Sequence, residues 1–229
     1  MKRDRPASVR LDLHSHSRHS PDSRLDPVEL VKRARSLGLD GIAVTDHNSL
    51  GGARAAYEHA KGLRGFLVLR GMEVSSDHGH VLAYGVQEEV PRELSTIETV
   101  ERVIALGGVA VAAHPYRFWS GLGEAETVAA KFGAYEVQNA RTLRGGNARA
   151  RDLARRVGVG ISGGSDAHFP DEVGRAVTVF EDAANEGELL DQIARRVTSA
   201  EGLDRGVRGT LRYVPKAVGE WMVRGFRRI

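Results

Sequence analysis

Nine histidines stand in this chain, at 14, 16, 19, 47, 59, 78, 80, 114 and 168. Several travel with a carboxylate or with each other: His14-Ser15-His16, Asp46-His47 and Asp166-Ala167-His168. Two histidines at i and i+2 on an extended segment can reach one ion where the segment bends. Imidazole nitrogens and carboxylate oxygens are the donor set for Zn²⁺, Mn²⁺ or Fe²⁺. A carboxylate such as Glu73 can give one oxygen to each of two ions. A pair of ions roughly 3.5–4 Å apart activates a shared water and clamps a phosphoryl oxygen.

These residues need a scaffold that gathers them from distant parts of the chain. Short apolar runs predict strands at 10–13, 41–45, 66–70, 80–86, 109–113, 134–138, 158–162 and 175–180. Runs such as GIAVT, FLVL and VAVAA are nearly continuous, as in buried parallel strands covered by helices. Amphipathic segments between them predict helices. Asp26 caps the first, Pro27 opens it, and Gly38 ends it. Thr96 starts another, and residues 49–61, 122–132, 146–157 and 185–196 supply the rest. Alternating strands and helices favour a barrel, since the one Gly-x-Gly-x-x-Gly string, GVGISG at 158–163, lies on a predicted strand and not between a strand and a helix. His14 and His16 follow the first strand, Asp46 and His47 the second, Glu73 the third. His114 follows the run GVAVAA, and Asp166 and His168 follow VGVGIS. Barrel enzymes build their sites at the C-terminal ends of strands, so these groups are expected on one rim.

The 229 residues contain no cysteine, which excludes disulfides, thiolate metal sites and a cysteine nucleophile. No apolar run reaches the roughly 18–20 residues of a membrane span. No apolar core follows MKRDRPASVR, and a cytoplasmic enzyme is expected. The net charge of +3 is uneven: residues 201–229 carry +4 and the remainder −1. A near-neutral main body speaks against nucleic acid as its partner.

The motifs LDLHSHSRHSPDS (11–23), AVTDHNSL (43–50), GMEVSS (71–76), HVLAYG (80–85), AAHPYR (112–117) and GGSDAH (163–168) resemble the PHP (polymerase and histidinol phosphatase) family, in the family's order. The resemblance is to the small stand-alone members. It implies an α/β fold, a distorted (β/α)7 barrel of PHP type, over residues 1–200, with up to three divalent ions (Zn, Mn or Fe). By the same resemblance His14, His16, Glu73 and Asp166 hold one ion. Glu73, His80 and His114 hold a second, and Asp22, His47 and His168 a third. His19 and His78 stand close enough in sequence to compete with Asp22 and His80. Asp46 reads either as an acceptor orienting an imidazole or as a turn residue.

The expected reaction is hydrolysis of a small-molecule phosphate monoester, histidinol phosphate-like or nucleotide-like, by a hydroxide bridging the ions at Glu73. His168 is the candidate proton donor. Arg117 and Arg141 are candidates for phosphate binding, with Arg18 and Arg144 behind them. Gln138 and Asn139 could meet a substrate hydroxyl, and Phe118 and Trp119 could form an apolar lip. Two other readings are a 3′-end or single-strand nuclease and a non-catalytic metal-binding module. A linker is expected over 199–210. Residues 201–229 form a basic, amphipathic extension, read as docking on the barrel in preference to a membrane surface.

Overall fold

The computed structural model describes residues 8–206, with Val218 and Met222 beyond them. The amphipathic extension therefore lies almost wholly outside the described residues. No helix among the described residues is long and apolar enough to cross a membrane.

Two five-stranded sheets face each other. The first contains β1 (Ser8–Asp12), β2 (Gly41–Ile42), β3 (Leu67–Val68), β9 (Ala176–Glu181) and β10 (Ser199–Gly202), in the order β10-β9-β1-β2-β3. The second runs in sequence order through β4 (Gly71–Ser75), β5 (His80–Tyr84), β6 (Val109–Ala112), β7 (Ala134–Asn139) and β8 (Gly160–Gly164). Both seams between the sheets are bridged on one rim, by His47 with Glu73 and by Ser15 with Ala167. The result is a distorted barrel of the expected kind.

The helices follow the amphipathic stripes. They are α1 (Pro27–Ser36), α2 (Gly51–Ala60), α3 (Thr96–Ala105), α4 (Gly123–Ala129), α5 (Arg144–Val157) and α6 (Glu186–Ala194). Asp26 caps α1 by accepting from the Val28 and Glu29 amides, which satisfies donors a helix start leaves unpaired. Leu30, Val31 and Ala34 of α1 pack with Ala56 of α2 on Ile42 and Val68. On the other side Val100, Val103, Ala150 and Leu153 pack against Met72 and Val74. The barrel interior is filled by Leu11, Leu13, Leu82, Tyr84, Val111 and Phe180, with Leu189 and Ile193 of α6 closing the end away from the bridged rim.

Three expectations change. The run after residue 66 is two strands, so Glu73 sits within β4 rather than after a strand. Met72 and Val74 turn to the helix-covered core and Glu73 to the other face, as strand alternation requires. The sheets are not uniformly parallel: β4/β5, β5/β6, β1/β9 and β9/β10 pair antiparallel. A four-residue link between β4 and β5 is too short for the crossover a parallel pair needs. Finally, the segment read as a linker begins as β10, and Leu203 and Arg205 then donate backbone bonds to Arg175 and Thr142. The edge of the sheet thus passes the boundary expected at residue 200.

Candidate metal centre

All nine expected ligands meet on the bridged rim, and the fold explains how each arrives. The chain bends after β1, sending His14 and His16 inward, both fully buried. His47 and Glu73 are neighbours across the first seam, where the Asn48 amide donates to the Glu73 carbonyl at 2.9 Å. His80 opens a strand, but β5 is antiparallel to β4 and pairs His80 with Ser75. The start of β5 therefore lies at the same rim as the end of β4. His114 and Asp166 stand just past β6 and β8 with φ of 27° and 55°. Positive φ is costly for residues with a Cβ and recurs where a side chain must be aimed at a functional site.

Glu73 is the centre of the array. Its Oε1 lies 2.8 Å from His80 Nδ1 and 3.0 Å from His114 Nε2. Its Oε2 lies 3.3 Å from His14 Nε2, 3.2 Å from His16 Nε2 and 3.4 Å from His47 Nδ1. Asp166 Oδ1 is 3.3 Å from His16 Nε2 and 3.9 Å from His14 Nε2. Asp22 Oδ2 is 2.7 Å from His168 Nε2 and 3.5 Å from His47 Nε2. Donor atoms gather within 4.8 Å of one another in four sets. These are His16, Asp22, His47 and His168; His14, His16 and Glu73; His47, Glu73 and His80; and His14, His114 and Glu136. His19 is exposed beside Gly51. His78 is exposed and pairs with Asp77 at 2.9 Å. Both competitors therefore point away from the cluster.

Metal ions fit this arrangement. His14 Nε2, His16 Nε2, His47 Nδ1 and Asp22 Oδ1 are buried with no hydrogen-bond partner, a state that costs about 1–3 kcal/mol per group unless something else satisfies it. Ligands bonded at about 2.0–2.2 Å to one ion stand roughly 3 Å apart, the spacing seen around Glu73. The electrostatics agree. Burial alone would raise Glu73, yet His47, His80 and His14 hold it well below the usual carboxylate range. Burial likewise opposes ionisation of Asp166, and Arg117 and His14 outweigh it. Burial would lower His16, but Asp166 and Glu73 bring it up to about 9. The buried carboxylates thus demand positive charge.

The sequence reading missed two carboxylates that orient the ligands. Glu136 Oε1 lies 2.9 Å from His14 Nδ1, and its Oε2 accepts from the His114 amide at 2.8 Å. That bond leaves His14 Nε2 to face the cluster. Asp12 is buried and accepts from the amides of His14, Ser165 and Gly174 and from Ser165 Oγ. It ties the end of β1 to the end of β8, and burial pushes its carboxyl up to about 6. A single acidic residue inside an apolar strand, as in RLDL and AYEV, was the available signal. Asp46 opens a turn, its carbonyl accepting from the Ser49 amide at 3.4 Å, and its carboxylate serves the first loop. Its oxygens accept from Ser17 N at 2.6 Å and Ser17 Oγ at 2.7 Å, clamping the first loop. A Cβ on Gly52 would stand 1.9 Å from Asp46 Oδ2, so only glycine allows α2 this close.

Among the polar candidates, Arg117 Nη1 donates to Asp166 Oδ2 at 2.5 Å. Arg141 donates to the Asp166 carbonyl at 3.4 Å and contacts His168 Nδ1. Both reach the cluster. Arg18 pairs instead with Asp26, and Arg144 is exposed at the start of α5. Asn139 Nδ2 donates to Glu136 Oε2 at 3.1 Å and Asp166 Oδ2 at 3.3 Å, so it orients carboxylates. Gln138 binds Asp204 and Arg151. Both ring nitrogens of His168 have close neighbours. Its Nδ1 meets the Asp166 carbonyl and its Nε2 meets Asp22. Burial, and then Arg141, lower it to about 3.

The fold and this centre define a metal-dependent hydrolase acting on phosphate esters. The family comparison agrees: the PHP domain matches residues 12–143, and a region described as PHP-associated matches residues 144–198. The chain belongs to the PHP family. A 3′,5′-nucleoside bisphosphate phosphatase from Chromobacterium violaceum is 36% identical over 95 residues, which are 39% of this chain and 32% of that protein. A 5′-3′ exoribonuclease from Haemophilus influenzae is 27% identical over 156 residues, 63% of this chain and 56% of that protein. The chain thus spans a third to about half of these two curated relatives. A two-domain protein from Bacteroides vulgatus, containing a predicted PHP-like metal-dependent phosphoesterase, superposes with a TM-score of 0.72 at 19% identity. That match covers 86% of this chain and 65% of the other.

Proposed function

We propose that this protein hydrolyses the phosphate monoester of a small molecule, nucleotide-like or histidinol phosphate-like. The observation that carries the reading is the two-sided use of Glu73, with His80 and His114 on Oε1 and His14, His16 and His47 on Oε2. One carboxylate shared by two sets of imidazoles is suited to hold a pair of ions. His14, His16, Glu73 and Asp166 would hold one ion, Glu73, His80 and His114 a second, and Asp22, His47 and His168 a third. When bound, such ions supply Lewis acidity and bring the pKa of a water toward 7. Zn, Mn and Fe all suit the nitrogen and oxygen donors.

The chain's own groups do the rest. Arg117 and Arg141 stand against Asp166, where each can turn a guanidinium edge to a phosphate oxygen. Asn139 and Glu136 keep Asp166, His14 and His114 in place. Burial of the cluster strengthens each of these interactions.

A metal-loaded preparation should release phosphate from some members of a broad monoester panel. Chelation or His14→Ala should abolish release. No turnover with Zn²⁺, Mn²⁺ and Fe²⁺ each loaded would sink the reading.

The exoribonuclease relative favours a second reading, cleavage of nucleic acid ends. Such an enzyme needs a basic track beside its site. Along α5, Arg156 pairs with Glu124, Arg155 with Asp152, and Arg149 stacks on Tyr116, while Arg144, at the end nearest the rim, is exposed. Faster degradation of labelled single strands than of any monoester would establish this reading instead.

A further inference from the structure

Phe118 and Trp119 are 85% and 83% exposed, well above Leu203 at 66%, the next large apolar side chain among the described residues. Their rings meet edge to face, with centroids 4.7 Å apart and planes at 87°. Burying rings of this size would stabilise a fold, and here the fold forgoes it.

The loop that carries them is fixed. The Arg117 amide donates to the His114 carbonyl at 2.9 Å, Gly121 to Arg117 at 3.0 Å, and Gly123 to Pro115 at 2.9 Å. Gly79, next to His80, lies so close that a Cβ on it would stand 2.9 Å from the Leu122 amide and 3.0 Å from the Ser120 carbonyl. Arg117, which reaches Asp166 at 2.5 Å, immediately precedes Phe118. Consecutive Cα atoms are about 3.8 Å apart, so both rings leave the backbone within about 8 Å of the Arg117 Cα. A fixed aromatic pair beside a guanidinium at the metal centre is placed for a molecule that is anionic at one end and flat at the other.

We propose that the Phe118–Trp119 pair is a stacking platform for a planar aromatic or heteroaromatic ring borne by the substrate, selecting such esters over aliphatic ones. This rests on the phosphatase reading above. Stacking suits any ring with a π-face and needs no particular hydrogen-bond pattern.

Adenosine 5′-monophosphate and ribose 5-phosphate share the ester and differ in the base, so they isolate the platform from the chemistry. Phe118→Ala or Trp119→Ala should lower kcat/KM for the nucleotide about tenfold and leave ribose 5-phosphate unchanged. Trp119→Phe should restore most of the loss. Equal losses on both esters would mean a structural role, and no loss on either would mean no role. Both overturn the proposal. Binding supplies a separate readout. Trp119 emission, taken as the difference between the protein and its Trp119→Phe variant, should be quenched by the nucleotide and not by ribose 5-phosphate. If neither ester is hydrolysed, the phosphatase reading fails for this pair while quenching still decides the platform. Blue-shifted emission that neither ester changes would show a protein segment already covering the rings, and would also overturn it.

Discussion

Glu136 makes the sharpest statement at the scale of single residues. It stands one bond behind the ligands, on His14 Nδ1 and the His114 amide, and fixes which nitrogen of His14 faces the cluster. Replacing it should spare the ligands yet loosen their aim. Glu136→Gln is expected to weaken metal affinity roughly 10- to 100-fold, read as the free-metal concentration at half-occupancy, with the fold intact by circular dichroism. Unchanged affinity would remove Glu136 from the site. The ligands in the doublets at 14/16, 46/47 and 166/168 were legible by residue type, whereas Asp22 and His80 came only from the family resemblance. Glu136 and Asp12 were not legible, because one acidic residue in a strand does not say which face it takes. Arg117 and Arg141 were legible as rim residues. That they reach Asp166, while Arg18 turns to Asp26, is a matter of side-chain reach.

At the scale of elements, a bulge and a glycine set the geometry. Residues three apart on a regular strand face opposite sides. Glu136 and Asn139 are bonded to each other at 3.1 Å because the register of β7 against β8 shifts between Glu136 and Gln138. Such irregularities commonly re-aim side chains beside active sites. Gly164 is the last residue of β8, directly against β1. A Cβ there would sit 2.4 Å from the Cβ of His14. Gly164→Ala should therefore push His14 off the cluster, with overpacking of about 1–3 kcal/mol. The measurable outcome is lost metal content alongside a lowered melting temperature; full metal content would contradict the close approach. Helix positions followed from stripes and caps in the sequence. The antiparallel turn of β4 into β5 did not, although it alone carries His80 to the rim.

For the whole molecule, the centre stitches the two sheets together. Ligands come from β4 and β5 and from the segments after β1, β2, β6 and β8, and both seams close beside them. Ions bound there should bind the folded state and not the unfolded chain. Chelation should then lower the melting temperature, and adding metal back at about 100 times its Kd should restore close to 2.7 kcal/mol. A melting temperature indifferent to chelator would argue that the cluster holds no ion. The sequence by itself determined the class of protein, because donor chemistry is a property of residue types and their order along the chain survives any packing. It also determined the helices, whose stripes are local. Only the tertiary structure decided which oxygen of Glu73 serves which histidines, that His168 is enclosed between Asp22 and the Asp166 carbonyl, and that Glu136 and Asp12 support the centre. Those facts depend on contacts between residues up to 162 positions apart, and on burial, which no local pattern encodes.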